Sequence, residues 1–276
     1  MTDRTPAAAH VVGTPHEPEV DPAHDTTGSL AHLRRDNVVA AVLHAVQAVV
    51  VLALATDFTL PVTASYLAGP PGAGRYETVT LFDSPLALGV ALFLALSASF
   101  HVLVSLPRVH ERYLRGLADH HNFYRWVEYA LSSSVMVVLI AQLTGIADAA
   151  ALIGLFGVNA SMILFGWLQE RYEEPGSGRW LPFVMGCVAG AVPWLAILLY
   201  VVAPGATSGA EPPTFVFAII ISLFLFFNSF AVVQGLQYAR VGPWRRYVVG
   251  ERTYILLSLT AKSALAWQVF GGTLAG

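Results

Sequence analysis

Lysine is almost missing from this chain of 276 residues: of its 15 basic side chains, only Lys262 is not an arginine. Cysteine is as scarce. With Cys187 alone, a disulfide within one chain and a metal–thiolate cluster are both excluded, and a small buried core residue is its expected role. Charge of either sign is thin, at 12% of residues against 55% hydrophobic, and the mean hydropathy is +0.61. The apolar residues gather into blocks long enough to span a bilayer, which makes this a polytopic membrane protein. Residues 1–28 lack both periodicity and the apolar core of a cleavable signal, and read as a disordered tail. His10, His16 and His24 in it are too irregularly spaced to argue for a metal. No internal repeat is visible in the remaining single domain, residues 29–276.

A helix needs about 20 residues to cross roughly 30 Å of hydrocarbon. Seven such blocks can be counted: Asn37 to Thr56, Pro85 to Leu106, Phe123 to Leu143, Ala149 to Gln169, Leu181 to Val202, Thr214 to Tyr238 and Tyr247 to Phe270. Arginines cluster on one side of these spans, at Arg34 and Arg35, at Arg108, Arg112 and Arg115, at Arg171 and Arg179, and at Arg240, Arg245 and Arg246. The other side holds Arg75 alone, so the amino terminus is expected in the cytoplasm and the carboxyl terminus outside. The longest connection, about residues 57–84, is then extracellular. Its run Tyr76-Glu-Thr-Val-Thr-Leu-Phe82 alternates as a strand does, beside the turn residues Gly69-Pro-Pro-Gly72.

A lysine at mid-membrane depth costs roughly 2.5 to 3.5 kcal/mol on insertion scales and is by default a functional candidate. Unlike arginine, a desolvated lysine amine can lose its proton and condense with an aldehyde. Glu128 is the one carboxylate that the span boundaries put well inside a helix, at a depth matching Lys262, and pairing the two is the economical arrangement. A plain structural ion pair between two helices satisfies the same facts. Ser258 lies one turn before Lys262, and Ser132 and Ser133 lie one turn after Glu128, where hydroxyls can satisfy both charges. Further polar residues face the interior: His44 and Gln47, Ser97 and His101, Asn159, Asn228 and Gln234. Hydrogen bonds between helices account for any one of them. A metal site is disfavoured because these residues come singly from different helices. Trp126, Tyr129, Phe165, Trp167, Trp194, Phe224, Phe226, Phe227 and Trp267 make the interior aromatic, as a core or as a slot for a long, flat polyene.

The stretch His121-Asn-Phe-Tyr-Arg-Trp-Val-Glu-Tyr-Ala-Leu-Ser-Ser-Ser-Val-Met136, with Ser258-Leu-Thr-Ala-Lys262-Ser and Trp267, resembles the heliorhodopsins over about residues 30–276. The resemblance implies an all-α, seven-transmembrane-helix rhodopsin-like bundle of inverted topology, with a short sheet in the first extracellular loop that helps form a homodimer. It implies all-trans retinal on Lys262 as a protonated Schiff base, with Glu128 as counterion. Ser258, Ser133, Ser97, Asn122, Tyr129, Asn159, Gln234 and Trp267 are implied around the chromophore or its hydrogen-bond network. His44 and His101, with Gln47 beside them, are implied as a network for a released proton.

The expected function is light sensing by a multi-pass cell-membrane protein that signals to an unidentified cytoplasmic partner. Neither enzymatic activity, a metal nor a nucleic-acid partner is expected. A light-driven proton pump or channel is the nearest alternative, but Val137 to Ile140 are apolar where ordinary pumps carry a second carboxylate. A retinal-free proton-coupled transporter using His44, His101, Glu128 and Lys262 is the alternative from another class.

Overall fold

The structure, a computed structural model, describes residues 26–208 and 213–274; the tail expected over residues 1–28 lies outside them except for its last three residues. The chain forms α1 (Thr26–Leu54), a hairpin of β1 (Thr59–Leu67) and β2 (Tyr76–Pro85), α2 (Leu86–Ser105), α3 (Pro107–Ala118), α4 (Phe123–Leu143), α5 (Ala149–Tyr172), α6 (Leu181–Ser208), α7 (Thr214–Tyr238) and α8 (Tyr247–Val269). Six of these helices are long and apolar enough to cross a membrane. The seventh expected span, α8, is 23 residues long but carries Glu251, Arg252 and Lys262, and its apolar signal is correspondingly weaker.

Two elements depart from the expected pattern. Helix α1 begins well before Asn37, because Leu33 is fully buried against Val104, Tyr113, Leu117 and Ile255. Helix α3 was not anticipated. Its Pro107 occupies the first turn, where a missing N–H costs nothing, and its buried Tyr113 and Leu117 lie one turn apart while Arg108, Arg112 and Arg115 are exposed. It is an amphipathic helix lying across the arginine-rich end of the bundle.

At the opposite end β1 and β2 pair antiparallel, with a bulge between Val62 and Thr63. Their turn closes with Ala68 N–H donating to Arg75 O at 2.8 Å, and Gly72 takes a φ of 92°, which an L side chain rarely adopts. Val62 tucks into the core, whereas Tyr76, Leu81 and Phe82 are exposed. Asp148 fastens the hairpin to the bundle: one carboxylate oxygen caps α5 through Ala150 N–H (3.0 Å) and Ala151 N–H (3.2 Å), and the other accepts from Ser65 N–H (3.2 Å). These bonds, that from Ala151 foremost, hold the Asp148 carboxyl below its usual range.

Helix α4 is the axis of the fold, packed against α2, α5, α6 and α7. Its Met136, Val137, Leu139 and Ile140 fill the core at the hairpin end with Phe93, Leu94, Ile197, Ile219, Leu223 and Leu265. Lipid tails are as apolar as these side chains, so close packing rather than escape from water holds this core. The backbones of α6 and α7 stand further apart than those of the other neighbouring helices, and side chains bridge them, Trp194 lying edge-on to Phe224 and Phe227 with ring centroids 5.3 and 5.6 Å apart.

Candidate functional site

Helices α4 and α8 bring the lone lysine to the central acid. Lys262 Nζ lies 3.1 Å from Glu128 Oε1 and donates to Ser258 Oγ at 2.6 Å, one turn back along α8. From α2, Ser97 Oγ reaches the same Glu128 oxygen at 2.6 Å and Phe93 O at 3.1 Å; the charged acceptor is the stronger claim on its single proton. The Tyr129 ring lies 5.1 Å from Lys262 Nζ, and its hydroxyl donates to Tyr254 O at 2.9 Å. Lys262 and Glu128 are 3% and 4% exposed, so each ion depends on the other for solvation.

Lys262, Ser258 and Tyr129 open onto a cavity of about 650 Å³ walled by α4, α5, α6, α7 and α8. The volume falls in the range of small-molecule sites, and the lining is apolar and aromatic apart from a few polar groups. Of the aromatics singled out in the sequence, Trp126, Tyr129, Trp194, Phe224 and Phe227 line it, whereas Phe165, Trp167, Phe226 and Trp267 do not. Gly166 keeps it open: a Cβ there would stand 2.5 Å from the Trp126 ring and 3.3 Å from Gln234 Oε1. Leu195, Leu198, Ile221 and Leu225 line the cavity yet are exposed, so it opens sideways between α6 and α7. A deep apolar slot ending at a buried primary amine fits a long apolar aldehyde such as retinal.

Other expected residues gather nearby. Asn159 donates to Ser133 Oγ (2.8 Å) and Ser134 Oγ (3.0 Å), tying α5 to α4. Gln234 donates to Gly166 O at 2.9 Å and lines the cavity. His44 is fully buried, stacked on His101 with ring centroids 5.7 Å apart, and neither of its nitrogens has a hydrogen-bond partner among the described residues. Asn37 Nδ2 donates to Leu33 O at 2.9 Å, which turns Asn37 Oδ1 toward His101 Nδ1 at 2.7 Å. The proton of neutral His101 therefore sits on Nδ1, leaving Nε2 basic.

Four placements differ from the sequence reading. Cys187 is exposed on α6 and lines the apolar cavity instead of lying buried in the core. Trp267 is 42% exposed, and its indole N–H donates to Gln47 Oε1 at 3.1 Å, so both residues sit on the outer surface of the bundle and neither lines the cavity nor joins the histidines. Asn122 lies away from Lys262, capping α4 through Arg125 N–H at 3.1 Å. Nor is Glu128 the only buried acid: Glu170 and Glu251, which the span boundaries placed at helix ends, are 6% and 2% exposed.

These two acids form a second buried cluster around Arg125 at the arginine-rich end. Arg125 pairs with Glu251 through Nη1 and with Glu170 Oε1 through Nη2 at 2.6 Å. Glu170 also accepts from Tyr247 O–H (2.6 Å), Asn122 N–H (3.0 Å) and the Trp126 indole, while Glu251 accepts from Asn122 Nδ2 (2.6 Å) and Tyr113 O–H (3.1 Å). Burial above all, reinforced by Glu251, holds the Tyr113 phenol well above its ordinary range, so it remains a donor. The arginine sits against the faces of Tyr254 (4.3 Å) and Trp126 (4.9 Å). Trp126, Gln234 and Tyr254 line both the apolar cavity and a second, polar one beside this cluster. The sequence signal for the cluster was Arg125 and two glutamates within about one turn of span ends.

Comparison with solved structures finds a light-driven proton pump from Leptosphaeria maculans, 12% identical, matched over 85% of this chain and 94% of that one with a TM-score of 0.59. At that identity the likeness establishes a microbial-rhodopsin fold. Curated protein sequences give no match. The sequence model of the heliorhodopsin family matches residues 33–274, which include both ionic clusters and the whole cavity wall. By that match, and with a buried lysine–glutamate pair at the end of an apolar slot, the chain belongs to the heliorhodopsins, retinal-based, light-responsive membrane proteins.

Proposed function

We propose that this protein is a light sensor that signals without net ion transport, with retinal held on Lys262. The carrying observation is the Lys262–Glu128 pair, 3.1 Å apart in the wall of the apolar cavity. Attached through the Lys262 nitrogen, retinal supplies a visible absorption band and a light-driven change of shape. Glu128 balances the charge at that nitrogen, and Ser97 and Ser258 orient the two partners. The seam between α6 and α7 admits the pigment from the lipid.

A proton leaving the Lys262 nitrogen would find His101 Nε2 and the His44 ring, whose nitrogens have no hydrogen-bond partner among the described residues. Beyond Glu128, α4 carries no further carboxylate, and its Val137 to Ile140 pack in the apolar core, so no second carboxylate there reloads the site from the hairpin end. This supports a proton that moves inside the bundle and returns. The arginine pattern favours the amino terminus in the cytoplasm and the carboxyl terminus outside. The exposed Tyr76, Leu81 and Phe82 of the hairpin suit a homodimer contact, and the exposed arginines of α3 face the side from which a signalling partner would approach. We assign no enzymatic turnover to the site.

The deciding experiment is to add all-trans retinal to the purified protein and then illuminate it in sealed vesicles. A visible band absent in Lys262→Arg, with no light-driven change in external pH, is expected. A sustained light-driven pH change would replace the sensor with a pump.

A further inference from the structure

Asn228 carries an amide where a membrane helix accommodates one least easily. It lies near the middle of α7, is exposed, and lines the apolar cavity where that cavity opens sideways. In the hydrocarbon a polar group has no water to bond, and one that faces outward at mid-span is a functional candidate. Asn228 spends one N–H on Phe224 O, 2.8 Å away and one turn back along α7. Its second N–H and its carbonyl have no partner among the described residues. Ser229 beside it shows the ordinary solution: its one proton goes to Leu225 O at 2.8 Å, and it does not line the cavity.

The surroundings of Asn228 form a passage. Trp194 on α6 meets Phe224 and Phe227 on α7 and bridges the opening. On the arginine-rich side of that bridge α6 contributes Cys187 and Ala191, both exposed and both short, so the gap there is not filled by side chains. Counted from the arginine-rich ends of their helices, Ala191, Asn228 and Ser258 stand at nearly the same depth, with Lys262 one turn further in. A molecule entering from lipid at that level meets the Asn228 amide before it meets the amine. Of the exposed residues in the cavity lining, only Asn228 carries a strong hydrogen-bond donor; the Cys187 thiol is a weak one.

The incoming pigment matches that donor. Retinal has a single polar atom, the aldehyde oxygen, which can only accept, and the carbon that bears it must lead the way to Lys262. We propose that Asn228 docks incoming retinal: its free amide N–H takes the aldehyde oxygen at the mouth and directs the carbonyl carbon inward, where the Lys262 amine adds and water leaves. This rests on the reading of Lys262 as the retinal carrier. Asn228 is then a positioning residue for loading and not a part of the finished chromophore site.

The test is the time course of the visible band after all-trans retinal is mixed with the purified, retinal-free full-length protein, over a range of retinal concentrations. Asn228→Leu is expected to raise the concentration that gives half the limiting rate by about three- to tenfold, the loss of one neutral hydrogen bond, with the limiting rate and the final absorption maximum unchanged. Asn228→Gln, which keeps the amide, recovers part of the loss, and Ser229→Ala, one residue along, has no effect. A thermal melt confirms that each variant is folded; should Asn228→Leu not fold, Asn228→Ala takes its place. An unchanged half-rate concentration in the folded apolar variant, a loss that Asn228→Gln does not recover, or an equal loss in Ser229→Ala overturns the proposal. Those outcomes leave the retinal pigment standing, whereas a wild type that gains no visible band at any concentration overturns both.

Discussion

Two ionic clusters lie buried in this bundle, and they are built on different cations. At Lys262 one amine meets one carboxylate, with single hydroxyls from Ser258 and Ser97 in support. At Arg125 a guanidinium forks between Glu170 and Glu251, and donors from α3, α4 and α8 complete the shells of both acids. Arginine keeps its proton under all ordinary conditions and fixes geometry with a planar fork, whereas a buried lysine can change charge and form covalent bonds. One cluster is made to react and the other to hold still. The sparse coordination of the first leaves its nitrogen free to react, as the proposed attachment of retinal requires.

The contrast can be broken most severely at the lysine. Lys262→Arg, which keeps the charge and loses the reactive amine, is expected to abolish the visible band, while Arg125→Lys keeps it; absorption spectra after retinal addition read both. Next in size, Arg125→Gln strands two buried carboxylates and is expected to lower stability by about 3–5 kcal/mol, seen as a fall in melting temperature that Lys262→Met does not match. Gly166→Ala drives a methyl into the Trp126 ring, and about 1–3 kcal/mol of overpacking should appear as slower retinal uptake and an altered absorption maximum. At His101, substitution by Phe removes the basic Nε2; flash photolysis with a pH-sensitive dye should then show a slower or missing internal proton step with the dark spectrum little changed.

The smallest effect belongs to Asp148. Its carboxyl is held below the ordinary value of 3.8 by backbone N–H groups, so its contribution is present above that value and is lost as pH falls through the depressed one. Acid melts should therefore show the wild type losing its small advantage over Asp148→Ala only below about pH 4. An advantage that persisted there would mean that the hairpin is anchored elsewhere.

Much of this was legible in the residues themselves, for identifiable reasons. Span starts at Phe123, Ala149, Leu181, Thr214 and Tyr247 coincide with the helices, because long apolar blocks flanked by polar residues leave little freedom in where a membrane helix begins. Lys262 and Glu128 stood out because a charge surrounded by apolar neighbours is costly. Arg125, Glu170 and Glu251 escaped notice for the converse reason: near span ends charges are commonplace, and only the fold reveals that α3 and the turn before α8 roof them over. Trp267 misled because one face of a helix is not marked when both faces are apolar. Its neighbour in space, Gln47, was assigned to the interior for the same reason, although the two satisfy each other on the outside.

The partition shared by the two cavities has a thermodynamic corollary. Trp126, Gln234 and Tyr254 each present one side to the chamber at Lys262 and another to the chamber at Arg125. If illumination shifts that partition, reciprocity requires that a perturbation of it from the chamber at Arg125 shift the balance between dark and illuminated conformations in turn.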